Sequence, residues 1–187
     1  YELYKDSPYA VPNLYSDVRD TLDPKKNAAF EFCEAQPFIA LRDDKVVGRI
    51  VAIINYKANS VWGKKAVRFG WVDFIDDVEV VDALFATVEQ WGRERGMTEV
   101  HGPLGFTDFD PEGMLVEGFD RIGTMATIYN YPYYPRHMEQ LGYTKDTDWI
   151  ELLIKVPEKT PEKIERIATM VAKRFELKYM RFKSNRE

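Results

Sequence analysis

Between Gly102 and Pro135 the chain reads GPLGFTDFDPEGMLVEGFDRIGTMATIYNYPYYP, punctuated by Gly102, Gly105, Gly113, Gly118 and Gly123 and by Pro103, Pro111, Pro132 and Pro135. Punctuation at this density excludes a long helix and leaves room only for fragments of strand. Yet the stretch is rich in Phe, Met, Leu and Tyr, which a solvated linker lacks. Long irregular segments inside compact domains serve as lids and binding loops, or as ordered loops that only cover core. The first reading makes residues 105 to 134 the wall of a ligand pocket, and the second makes them packing.

The rest of the chain supplies a body for that loop. Its 187 residues suit one domain with the beginning of another, and 45% hydrophobic content supports a sizeable core. A net charge of −5 with dispersed basic residues gives no nucleic-acid footprint. The single cysteine, Cys33, has no internal disulfide partner and fits a reducing cytoplasm; a buried, inert thiol is its ordinary role. Two histidines, His101 and His137, do not make a zinc site, so no metal is expected. No apolar run reaches membrane length and no signal-peptide pattern opens the chain, so the expected location is the cytoplasm.

Periodicity predicts the elements. AAFEFCEA reads as helical, Phe38–Leu41 as a strand, and Arg42-Asp-Asp-Lys45 as a tight turn. Val46–Asn55 is a β-branched run typical of a strand buried on both faces. After a polar connection at 57–65, Ala66–Ile75 is a third strand, so the three form an antiparallel meander. Val81, Leu84, Phe85, Val88 and Trp91 line one face of the clearest helix, which Gly96 closes. Thr98–His101 is a short strand, Pro135 opens a helix of two turns, and Asp148–Val156 is a closing strand. Thr160 and Pro161 start a helix with Ile164, Ile167, Ala168, Val171 and Phe175 on one face, and Leu177–Phe182 reads as a further strand.

Several side chains carry candidate chemistry. Glu117 and Asp120, flanking Gly118, are carboxylates able to act as general base if desolvated, or to cap turns. Tyr129, Asn130, Tyr133 and Tyr134 combine flat apolar faces with polar tips, which suits a small-molecule pocket as well as plain packing. Arg68 can meet an anionic ligand or a cross-strand carboxylate. His137 is either a catalytic base or a satisfied histidine.

The order meander, helix, strand, short helix and closing strand resembles the Gcn5-related N-acetyltransferase (GNAT) superfamily over about Phe38–Val156. The resemblance is carried by Val47-Gly-Arg-Ile50, by Trp91–Gly96 and by Leu141-Gly142-Tyr143. VGRI, RFGW, GP, EGFD and YNYPYY segments further resemble an uncharacterised bacterial branch that pairs two such folds. The resemblance implies an α/β (α+β) fold, a mixed central sheet flanked by helices, with a GNAT-like domain over residues 1–157. Residues 158–187 are then a helix and strand leading to a second domain, and a first strand belongs upstream.

It also implies direct attack of an amine on the thioester of acetyl-CoA or another acyl-CoA, with a backbone amide of the splayed meander strand polarising the carbonyl. The family's pyrophosphate loop, Q/R-x-x-G-x-G/A, falls here on Asp76, Asp77, Val78, Glu79 and Val80, which include no glycine and no basic residue. Coenzyme A is therefore expected to bind weakly or not at all. The family's general-acid tyrosine falls on Met138, which transfers no proton. An aminoacyl transferase of the tandem-fold type and a non-catalytic ligand-binding or assembly domain are the rival readings.

Overall fold

The computed structural model describes residues 2–123, 127–178 and 180–181. It divides into two compact units, Tyr1–Thr147 and Asp148–Glu187. In the first, a single helical turn at Glu2–Tyr4 precedes α1 (Tyr15–Thr21) and another turn at Ala28–Glu31. Then follow β1 (Cys33–Arg42), β2 (Lys45–Asn55), α2 (Tyr56–Trp62), β3 (Ala66–Phe74), α3 (Val78–Glu94), β4 (Glu99–His101) and α4 (Tyr133–Gln140). The four strands form one sheet in the order β1-β2-β3-β4. β1, β2 and β3 are antiparallel neighbours, and β4 runs parallel to β3. The unit is thus an α+β domain with a mixed sheet flanked by helices.

The β1–β2 turn is made by Asp43 and Asp44 at φ 49° and 61°. Two left-handed residues match the twist of a hairpin, and aspartate tolerates that conformation better than most side chains. β2 is the central strand, and its two faces build two cores. Ile50, Ala52 and Ile54 meet Val67 and Phe69 from β3 and Val81, Leu84, Phe85 and Val88 from α3. Val51 and Ile53 face the other way, against Ala29, Cys33 and Phe106. Each Val, Ile, Leu or Phe among them, fully buried, stabilises the fold by about 1.5–3 kcal/mol.

Several expectations need correction. AAFEFCEA is not a helix: a single turn ends at Glu31 and Cys33 already opens β1. The connection at 57–65 contains α2, because Asn55 caps it by accepting from the Ala58 N–H and Gly63 ends it at φ 63°. In the second unit, residues 148–156 form no strand, and Trp149, Ile150 and Leu152 are exposed. The β-branched and apolar pattern records a preference, whereas a strand exists only when its backbone finds a partner. α5 (Glu162–Arg174) begins one residue later than expected, with Pro161 in the capping position. Of Leu177–Phe182, residues 179 and 182 lie outside the described residues, and the others form no strand.

The feature that positions the site is the end of β3. β4 pairs with it only from Ala66 to Arg68, whereas β3 continues to Phe74. Its register with β2 shifts between Arg49 and Val51, and opposite that shift Trp71 sits at φ 45°, a bulge in the strand. Beyond β4 the loop still follows β3 briefly: the Leu104 N–H donates to the Phe69 carbonyl at 2.8 Å. Gly70 permits this approach, since a Cβ there would lie 2.6 Å from the Leu104 carbonyl oxygen. Gly70→Ala is therefore expected to cost about 1–3 kcal/mol, because the obstructing atom is backbone and cannot rotate away. Thermal unfolding checks this, and an unchanged Tm would show that residues 102–105 are not fixed against β3.

Candidate functional site

Past its last pairing with β4, β3 presents backbone and side-chain groups to the tyrosines of the long loop and α4. The Phe74 N–H donates to the Tyr134 hydroxyl at 3.1 Å, and the Tyr133 hydroxyl donates to the Phe74 carbonyl at 2.8 Å. The Tyr134 ring stacks on Phe74 with centroids 4.1 Å apart. One residue earlier, Asp73 collects charge-assisted bonds. Arg49 reaches it through Nε at 2.7 Å and Nη2 at 2.6 Å, and the Tyr4 hydroxyl donates to it at 2.9 Å. Tyr4 and Tyr134 share a hydrogen bond of 2.6 Å between their hydroxyls. Burial, followed by the Asp73 charge, pushes the pKa of both phenols above its ordinary value, so both stay protonated donors.

Aromatic rings continue outward from this clasp. Tyr4 meets Tyr131 at 5.1 Å and Tyr129 at 6.0 Å, and Tyr131 stacks on Tyr133 at 5.6 Å. His137, only 7% exposed, stands edge-on to Phe74 and Tyr133. Its Nε2 lies 2.7 Å from Asp76 Oδ1, and Arg136 approaches the other Asp76 oxygen at 3.5 Å. A carboxylate only accepts, so Nε2 donates to Asp76.

Asp76 and Asp77 lie between β3 and α3. Asp77 caps α3: its Oδ1 accepts from the Glu79 N–H at 2.9 Å and the Val80 N–H at 3.3 Å. Arg42, at the end of β1, donates to Asp77 Oδ2 and, through Nη2 at 3.0 Å, to Glu79. The Arg42 guanidinium, with the two backbone bonds, holds the Asp77 carboxyl below its ordinary pKa. The Glu79 and Val80 amides at this helix start bond Asp77, and Asp76 and Glu79 add negative charge there.

The sequence candidates thus separate. Tyr129, Tyr133, Tyr134, His137, Asp76 and Asp77 come together around β3's end and the start of α3. Val78 is exposed and Val80 is buried in the sheet-facing core, so neither offers a polar side chain. Glu117 and Asp120 are exposed. Asn130, 3% exposed, braces the loop: its Oδ1 accepts from the Leu115 N–H at 2.6 Å, and its Nδ2 donates to the carbonyls of Leu115 and Tyr131. Arg68 donates to the Gly105 carbonyl at 3.0 Å, pinning the loop's start. Sequence reasoning passed over Tyr4 and Asp73. Their partnership spans residues far apart in the chain and leaves no local pattern.

Two open clefts lie elsewhere. One of about 560 Å³ is lined by Val67, Glu89, Arg93, Met97, Val100 and Tyr143. The other, about 400 Å³, borders on the loop through Phe106, Thr107 and Asp110. Tyr4, Tyr129, Tyr131, Tyr133 and Tyr134 line neither, because they close on one another and on β3. Cys33 is buried, which pushes its thiol up to about 11 and leaves it unreactive at neutral pH. Among the described residues no group of His, Cys, Asp and Glu is placed to hold a metal ion, and no helix is long and apolar enough to cross a membrane.

No protein-family model matches the chain. Protein YghO of Escherichia coli K12 is 34% identical over 146 residues, covering 78% of this chain and 37% of that protein. A bacterial ceramide synthase of Caulobacter vibrioides is 34% identical over 145 residues, covering 77% of this chain and 38% of that protein. The chain therefore spans under two-fifths of the length of the curated relatives it matches. A crystal structure described as a probable acetyltransferase aligns over 80% of this chain and 83% of its own, at 12% identity and a TM-score of 0.41.

Two outcomes test this geometry. Tyr134→Phe strands the buried Phe74 N–H and is expected to cost about 1–3 kcal/mol in denaturant unfolding. No loss would mean that the amide finds another acceptor. The lowered pKa of Asp77 makes its contribution to stability present above about 3.9, its unfolded value, and lost as pH falls through the folded one. Tm curves of the chain and of Asp77→Asn should differ at pH 6 and converge towards pH 2. Parallel curves would show that the carboxylate contributes no such pH dependence.

Proposed function

We propose that the chain contributes a GNAT-like domain to an N-acyltransferase, which joins an acyl group to a long-chain amine. The observation that carries this reading is the end of β3. The strand bulges at Trp71, outruns its parallel partner β4, and brings a backbone amide, a buried histidine and a carboxylate to one place. Amide formation needs a base for the amine proton and a fixed dipole for the developing oxyanion, which the Phe74 N–H supplies once the acyl oxygen displaces the Tyr134 hydroxyl from it. The name of the Caulobacter relative supports the substrate class, since a ceramide is an amide of a long-chain amino alcohol.

In this reading the amine nitrogen attacks the acyl carbonyl, His137 Nδ1 accepts the proton released as the C–N bond forms, and collapse of the adduct breaks the bond to the acyl carrier, which leaves with that proton. Asp76 holds the ring through Nε2 and stabilises the imidazolium. Tyr133 and Tyr134 brace the strand end and exclude water. Incubating the chain with a long-chain amine and activated fatty-acyl donors, followed by mass spectrometry of the lipids, should show amide product. His137→Gln should lower its rate by about 100-fold or more with Tm retained. Transfer unaffected by that change would remove His137 from the chemistry.

The second reading, a ligand-binding or assembly domain without catalysis, has its own support. Tyr134 already occupies the Phe74 N–H that an acyl oxygen would use. No amide from any donor, with intact folding, would favour it.

A further inference from the structure

The start of α3 has a consequence for which acyl donors the domain admits, and the inference rests on the acyltransferase reading above. A helix N-terminus with free amides attracts phosphate through its N–H groups and dipole. Here the Glu79 and Val80 amides both donate to Asp77, at 2.9 and 3.3 Å. The arrangement exceeds an ordinary cap, because Arg42 reaches across from β1 and binds Asp77 and Glu79 together. The cation suited to a phosphate is thereby spent on two internal carboxylates, and Asp76, engaged by His137 and Arg136, adds a third. The strand groups beside this helix are also taken, since Tyr134 accepts from the Phe74 N–H and Tyr133 donates to the Phe74 carbonyl.

We infer that Asp77, held by Arg42, is a specificity-determining residue that excludes diphosphate-bearing donors such as coenzyme A thioesters from the start of α3, so that this domain accepts acyl groups only on carriers without a diphosphate there. The carboxylate acts as an internal anion: it satisfies the Glu79 and Val80 amides and repels a second anion from the same place. Glu79 reinforces the repulsion and shares Arg42 with Asp77.

Calorimetry with coenzyme A, and with pantetheine as the phosphate-free probe, tests this on the 187-residue chain. The chain itself should bind coenzyme A no more tightly than pantetheine. In Asp77→Ser/Glu79→Gln, serine keeps the cap while Arg42 is released, and coenzyme A affinity should rise at least tenfold with pantetheine unchanged. Asp82→Asn, which removes one exposed charge further along α3, should leave both affinities as they were. Coenzyme A binding the unaltered chain ten times more tightly than pantetheine would overturn the inference. So would a folded double variant that gains nothing, or an equal gain in Asp82→Asn. Because the readout is binding, failure of the acyltransferase reading would appear separately, as absence of amide product with these affinities as expected.

Discussion

Tyr134 stacked on Phe74, with the strand's amide bonded to its hydroxyl, is the contact on which the rest of the first unit depends. A strand that outruns its neighbour leaves polar backbone without a ladder, and buried groups of that kind must be matched or the strand end frays. α4 supplies the match with consecutive tyrosines, one giving an acceptor to the Phe74 amide and the other a donor to its carbonyl. This anchors α4, and with it the far end of the long loop. The near end is tied by Leu104 to Phe69 and by Arg68 to Gly105, and the middle by Asn130 to Leu115. Both ends of the loop are thus tied to a strand that has run out of partners on that side.

Charge organises the same region. Asp73, Asp76 and Asp77 follow one another closely at the β3–α3 junction, and each has a separate set of donors. Asp73 takes Arg49 and Tyr4, Asp76 takes His137 and Arg136, and Asp77 takes Arg42 and two amides of α3. Neighbouring carboxylates repel, and the distribution of partners offsets that cost locally. It also draws β1, β2, α4 and the N-terminal turn onto the junction.

Much of this was legible beforehand. The meander, α3 with its apolar stripe, the short β4 and the helix before Leu141-Gly142-Tyr143 all follow from period and punctuation. So does the negative character of the α3 start, since three carboxylates and no glycine stand in the sequence. The tyrosines and His137 were visible as a group because they are close in the chain. Arg68, Glu117 and Asp120 were singled out by residue type, which says nothing of where a side chain ends up. Arg68 bonds loop carbonyls, while Glu117 and Asp120 face solvent. The apolar run at 148–156 shows the same limit from the other side, because strand preference without a paired neighbour produces no strand.

Local order, the faces of the elements and the sign of charge at each helix end belong to the sequence alone, because they depend on neighbours within a few residues. The pairing of Tyr4 with Asp73, the handing of Phe74's backbone to Tyr133 and Tyr134, and the clamp of Arg42 on Asp77 arose only when the chain closed. Each joins residues at least 35 positions apart. Contacts of that separation are set by how the sheet twists and where β3 outlasts β4, and no local pattern encodes either.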